Sequence, residues 1–135
     1  MPEQFQYVRR VQMADTDAAG IAHFARVLCW VEEAEHACLQ SLGYEIRPMD
    51  ENALHWPRVA CSAEYLQPLR VMAEVEVRLR REAVGRSSIT WNWEVWHASA
   101  CAARGTMKTV CAKLGPDGVG ATPLPDLLRE RLTSK

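Results

Sequence analysis

The chain has no paired-cysteine motif, no long apolar run and almost no net charge. Each absence removes a class of function. Its 135 residues include five cysteines, an odd number: Cys29, Cys38, Cys61, Cys101 and Cys111. No two of them form a C-x-x-C pair, which argues against a zinc site. None stands in a nucleophile context, and Cys29 and Cys38 read as small buried hydrophobes of a reducing compartment. The formal net charge of −1 argues against a general nucleic-acid surface, which needs a strong basic excess. No apolar stretch approaches the roughly 20 residues that cross a bilayer. The segment MPEQFQYVRR lacks the apolar core of a signal peptide. A cytoplasmic protein with neither nucleic-acid nor membrane partners is expected. Internal repeats, low-complexity segments and βαβαβ alternation are also missing, which excludes a doubly wound parallel sheet. The length fits one domain, 1–135.

What is present is one strong helical period between stretches of alternation. Phe24, Val27, Leu28, Val31, Ala34, Glu35, Cys38, Leu39 and Leu42 follow helical spacing. Glu35 is the polar member of that stripe. Gly43 suits the end of the helix. Residues 5–13 predict a strand, with Phe5, Tyr7, Val11 and Met13 on one parity and Arg9 as an exception. Residues 44–58 read as a loop and 59–66 as a strand. Residues 73–83 and 87–97 alternate clearly across a Gly85-Arg86 turn, and 101–114 alternate weakly. Gly115-Pro116-Asp117-Gly118 signals a turn, and a short helix is expected near 126–132. The order is strand, long helix, then three or four strands in a meander. This is an α+β chain in which a curved antiparallel sheet of about five strands wraps one long central helix.

The segment Asp15-Thr16-Asp17-Ala18-Ala19-Gly20-Ile21-Ala22-His23-Phe24 joins carboxylates, a glycine turn and the start of that helix. A helix start has unpartnered N–H groups and partial positive charge, so it can hold a carbonyl oxygen that becomes negative during reaction. A carboxylate nearby can attack that carbonyl or activate a water. The pattern points to acyl-group chemistry. A calcium loop counted from Asp15 fails, because Ala19 falls at its fifth position and Arg26 at its twelfth. No metal site is expected.

With these elements placed, the chain resembles the hotdog-fold acyl-CoA thioesterases of the 4-hydroxybenzoyl-CoA type. Four segments carry the resemblance: Asp15 to Ile21, Trp30-Val31-Glu32-Glu33-Ala34, Glu64-Tyr65-Leu66-Gln67-Pro68-Leu69, and Gly85-Arg86-Ser87-Ser88. It implies hydrolysis of an acyl-CoA thioester with Asp17 as the catalytic carboxylate, either nucleophile or general base. The Phe24 N–H would polarise the carbonyl, and Gly20 would let the loop turn tightly beside the substrate. His23, Tyr65, Arg86, Ser87 and Ser88 are implied as substrate-binding, the last three near the CoA tail across a subunit interface. No cofactor is implied, since coenzyme A is part of the substrate. A homo-oligomer is implied, a dimer or a tetramer built from two dimers. The family carries a tyrosine where Val27 stands.

Other readings of the same residues stay open at this point. Asp17 with His23 could form the acid/base pair of a hotdog hydratase or dehydratase. Alternatively, Asp17 could simply shape the loop of a non-catalytic acyl-CoA binding module. Asp15 reads as a loop stabiliser, and Glu32, Glu33 and His36 as a solvated helix face. Glu35 reads as facing a subunit contact or the pocket. Trp91, Trp93 and Trp96 read as sheet residues packing core or interface. Arg78, Arg80, Arg81 and Arg86 cluster around one turn, and Arg86 is the one considered for the nucleotide phosphates.

Overall fold

The computed structural model describes residues 1–46 and 53–134. Part of the expected 44–58 loop lies outside the described residues. Strand β1 (Phe5–Arg10) leads through a single 3-10 turn at Met13–Asp15 to helix α1 (Phe24–Ser41). Strands β2 (Arg58–Tyr65), β3 (Glu74–Val84), β4 (Ser88–His97) and β5 (Ala100–Val110) follow. A small hairpin, β6 (Ala112–Gly115) and β7 (Gly118–Ala121), precedes helix α2 (Asp126–Thr133). The α+β expectation holds: the main sheet has five antiparallel strands in the order β1-β3-β4-β5-β2, with α1 against it.

Three details differ from the expectation. Only β3, β4 and β5 form the meander; β2 crosses over to the far edge, beside β5. The first strand ends at Arg10, before the 3-10 turn at Met13–Asp15; between them Val11 N–H donates to Ala73 O at 2.9 Å. The Gly115–Gly118 turn closes a hairpin whose second strand, β7, carried no alternation signal.

The alternation of β4 is realised fully: Ile89, Trp91, Trp93 and Val95 are all buried against the stripe of α1. Burying that many large apolar side chains is the main stabilising term of the fold, at roughly 1.5–3 kcal/mol per side chain. Arg9, the odd residue of β1, proves to belong on the inner side. Its guanidinium lies over the Trp30 ring, 5.0 Å from the centroid, and pairs with Asp15 and Glu33.

Glu35 is fully buried at the middle of α1, facing the sheet rather than a pocket or the surface. Its carboxylate accepts from Arg58 Nη2 at 2.5 Å, Trp91 Nε1 at 2.6 Å and Thr109 Oγ1 at 2.7 Å. One helical carboxylate thus ties α1 to β2, β4 and β5. Its neighbours are not free either. Glu33 takes Tyr7 and Arg9, Glu32 takes Arg58, and half-buried His36 touches Arg58. Cys38 and Cys111 are buried, but Cys29 is exposed, contrary to the expectation from the stripe.

At the far end of α1, Gly43 adopts φ 87°, and a Cβ there would meet the Arg131 guanidinium at 2.3 Å. Arg131 Nη1 uses that space to donate to Leu42 O at 2.6 Å. The Arg81 guanidinium reaches the Leu132 carbonyl. The four arginines expected around one turn are therefore dispersed: Arg81 serves α2, Arg78 covers Trp96, and Arg80 reaches toward Gln4.

Candidate active site

The loop between the 3-10 turn and α1 is held by its own backbone. Gly20 N–H donates to Asp17 O at 3.0 Å and Asp17 N–H to Ile21 O at 2.9 Å. Gly20 takes φ 77°, a conformation open to glycine and costly for other residues. Asp17 Oδ1 accepts the Ala19 N–H at 2.8 Å, a short side-chain turn that fixes the carboxylate and leaves Oδ2 without a protein donor among the described residues.

Asp15 has the opposite fate. It is 1% exposed and accepts from Arg9 at 2.8 Å, the Gln12 N–H at 2.7 Å and Arg26 at 3.2 Å. Burial alone would raise its carboxyl. The Gln12 N–H, the Trp30 indole and the two guanidiniums together outweigh that and hold it below the ordinary 3.8. Asp15 is the loop stabiliser, as expected, and its charge is spent on structure.

Asp17 borders an apolar cavity of about 390 Å³. Ile21, Ala22, Phe24 and Val27 form one wall, from the loop and the first turn of α1. Tyr65, Leu66, Gln67, Pro68 and Leu69 form another, from the end of β2 and the segment after it. Ala102 and Ala103 of β5 close it. Both alanines are buried because the β4–β5 register shifts between Val95 and Trp96, leaving Ala102 unpaired with β4. That bulge explains the weak alternation of 101–114.

Helix α1 begins at Phe24, and no acceptor for the Phe24 N–H is present among the described residues. His23 caps the helix: its Nδ1 accepts the Ala25 N–H at 3.2 Å, and its ring stacks on Phe24 at 4.5 Å between centroids. His23 lies outside the cavity wall and has no hydrogen bond to Asp17 among the described residues. With Nδ1 engaged by the backbone, the paired acid/base arrangement of a hydratase is not assembled. The Tyr65 hydroxyl donates to Phe24 O at 2.8 Å.

The structure thus brings Asp17, Phe24 and Tyr65 to one cavity, while Gly20 and His23, in the same loop, do not line it. Arg86, Ser87 and Ser88 are elsewhere. Ser88 begins β4, seven residues from Val95, the partner of cavity-lining Ala103; at about 3.3 Å per residue that is roughly 23 Å along the strand. The Arg86 carbonyl is occupied by Arg129 at 2.5 Å and the Leu124 N–H at 2.9 Å. Within one chain this turn does not line the cavity. Ala102, Ala103 and the Leu66 to Leu69 wall were not singled out from sequence as site residues; the weak alternation was the available signal for the alanines.

A sequence profile of the thioesterase superfamily matches residues 19–100. The chain belongs to the thioesterase superfamily. This thioesterase is 29% identical over 130 residues to a 1,4-dihydroxy-2-naphthoyl-CoA hydrolase of Synechococcus elongatus, covering 95% of this chain and 94% of that one. The crystal structure of a 1,4-dihydroxy-2-naphthoyl-CoA thioesterase from Synechocystis superposes with a TM-score of 0.85 at 25% identity, covering 96% of this chain and 95% of that chain. A gentisyl-coenzyme A thioesterase superposes with a TM-score of 0.82 at 26% identity, covering 92% and 98%. The hotdog fold and the acyl-CoA thioesterase assignment implied by the sequence resemblance both stand. No helix among the described residues is long and apolar enough to cross a membrane.

Proposed function

We propose that this enzyme hydrolyses the thioester of an aromatic acyl-CoA, with Asp17 as the reacting carboxylate and the Phe24 N–H as the donor to the thioester oxygen. One observation carries the reading: a fixed carboxylate and a helix N-terminal amide without a partner among the described residues border the same apolar cavity. The acyl group occupies the cavity, and the thioester lies between Asp17 and the start of α1. Negative charge that develops on the oxygen is met by the Phe24 N–H and the helix dipole, a term worth roughly 3–4 kcal/mol per donor in comparable sites.

Asp17 Oδ2 acts in one of two ways. As nucleophile it attacks the thioester carbon, the C–S bond breaks, the CoA thiolate leaves and takes up a proton, and water hydrolyses the mixed anhydride. As general base it takes a proton from a water that attacks the same carbon; the C–S bond then breaks and the leaving CoA thiolate takes up that proton. The aromatic acyl class is supported by an apolar cavity of about 390 Å³ and by similarity to hydrolases of naphthoyl-CoA and gentisyl-CoA.

The working form is a homo-oligomer, a dimer or a dimer of dimers. The Arg86-Ser87-Ser88 turn then reaches the CoA tail from a neighbouring subunit, which accounts for its distance from its own cavity. The exposed Val59 and Leu66, on and just after edge strand β2, support a subunit contact there.

A panel of acetyl-, palmitoyl-, benzoyl- and 1,4-dihydroxy-2-naphthoyl-CoA, read by release of free thiol, tests the proposal. Preferential release from the aromatic esters is expected. Recovery of every ester intact would leave a binding module; loss of ester without thiol release would indicate a different reaction.

A further inference from the structure

We infer that Tyr65 is a positioning residue that aims the oxyanion donor, rather than a residue that binds substrate through its hydroxyl. The inference rests on the thioesterase reading above, in which the Phe24 N–H grips the carbonyl oxygen.

The first turn of α1 has weak support of its own. Helix termini fray because their outer groups lack partners, and the Phe24 side chain is 64% exposed, so packing restrains it little. Two peptide planes meet at Phe24: the one that contains its N–H, and the next, which restrains the first only through the φ and ψ of Phe24. The first, between His23 and Phe24, is held by His23 O, which accepts the Arg26 N–H at 2.9 Å. The second, between Phe24 and Ala25, is held from both sides. Its N–H goes to His23 Nδ1 at 3.2 Å, and its carbonyl takes the Tyr65 hydroxyl at 2.8 Å. Of these restraints, the Tyr65 bond is the one that comes from outside the helix and its cap.

Tyr65 is itself fixed at the end of β2, in register with Ala103 of the cavity wall. Its ring meets Phe24 edge-on at 6.5 Å. A phenol has one proton to donate, and here the Phe24 carbonyl receives it. Burial pushes the phenol above its ordinary 10.0, which keeps that proton in place. Thus the hydroxyl restrains the amide's neighbour, while the ring lines the cavity. The sheet edge fixes the helix start, so the donor is in place before substrate arrives, the condition under which such donors are most effective.

Tyr65→Phe deletes the hydroxyl and keeps the ring. With benzoyl-CoA it is expected to lower kcat about tenfold and to leave KM within twofold, since a donor that acts on the developing oxyanion contributes little to ground-state binding. The direct readout is the infrared carbonyl band of benzoyl-CoA labelled with carbon-13 at the thioester, bound to an Asp17→Asn protein that does not turn it over. Polarisation by the Phe24 N–H shifts that band to lower frequency than in solution. Adding Tyr65→Phe is expected to move it back toward the solution value with affinity unchanged. An identical band in both proteins, or a Tyr65→Phe enzyme whose KM rises while kcat holds, overturns the inference. Absence of binding or of any band shift in the Asp17→Asn protein, or normal turnover by it, instead overturns the thioesterase reading of the site.

Discussion

Asp15 and Asp17 stand two residues apart and face opposite environments. Asp15 is locked between Arg9 and Arg26 with 1% of its surface exposed, whereas Asp17 borders the cavity with one oxygen that has no protein donor among the described residues. Replacing each with Asn separates the roles. Asp17→Asn is expected to lower kcat by about 10²–10⁴ with the melting temperature little changed. Asp15→Asn is expected to destabilise by about 3 kcal/mol, because it removes the buried charge shared by Arg9 and Arg26 and leaves the 14%-exposed Arg9 with only the more exposed Glu33. Steady-state thiol release and thermal unfolding, measured on both variants, give the comparison.

The same carboxylate contributes to acid stability. The folded-state pKa of Asp15 lies below its ordinary 3.8. The unfolded chain therefore takes up the proton first as pH falls. The contribution of Asp15 is complete above 3.8 and is lost as pH drops through the lower folded value. Urea midpoints of the wild type and Asp15→Asn should differ by a constant amount near neutral pH and converge below about pH 3.8. A gap that stays constant to pH 2 would contradict the assignment.

Glu35 is buried and does not line the cavity beside Asp17. Glu35→Ala leaves Arg58, Trp91 and Thr109 without their shared acceptor. A loss of about 3–5 kcal/mol is expected, with turnover per folded molecule unchanged. A selective fall in kcat in a protein of normal stability would instead place Glu35 in the chemistry.

Ala102 and Ala103 close the cavity, so the acyl size it admits is expected to depend on them. Ala103→Leu projects a larger side chain into the apolar space and should raise KM for benzoyl-CoA about tenfold, by the scale of methylene discrimination in enzyme pockets. Acetyl-CoA should respond less. Val27→Ala opens the opposite wall and should shift preference toward bulkier acyl groups. Relative kcat/KM across the ester panel checks both.

Much of this was legible in the sequence because it depends on local periodicity. The stripe from Phe24 to Leu42 anticipated α1 to within a residue at its C-terminal end, and the alternation of 87–97 anticipated the inner face of β4. The loop residues likewise pointed to a carboxylate beside a helix start. Other features escaped for identifiable reasons. The bulge at Ala102 breaks the period-2 pattern, so two consecutive residues turn inward and the alternation blurs. Arg9 looked out of place because its charge is neutralised by Asp15 and Glu33, partners 6 and 24 residues away.

The sequence by itself determined the elements, their order, and the meeting of a carboxylate, a turn-forming glycine and a helix start. Short-range sterics and hydrophobic period dictate those. The sequence already set Asp15 apart as the loop stabiliser, but only the tertiary structure supplied Arg9 and Arg26 as the partners that neutralise it. Only the tertiary structure sent β2 to the sheet edge, where Tyr65 meets Phe24 across 41 positions of chain. Pairings between distant residues depend on how sheet and helix pack together, and local spacing carries no record of that packing.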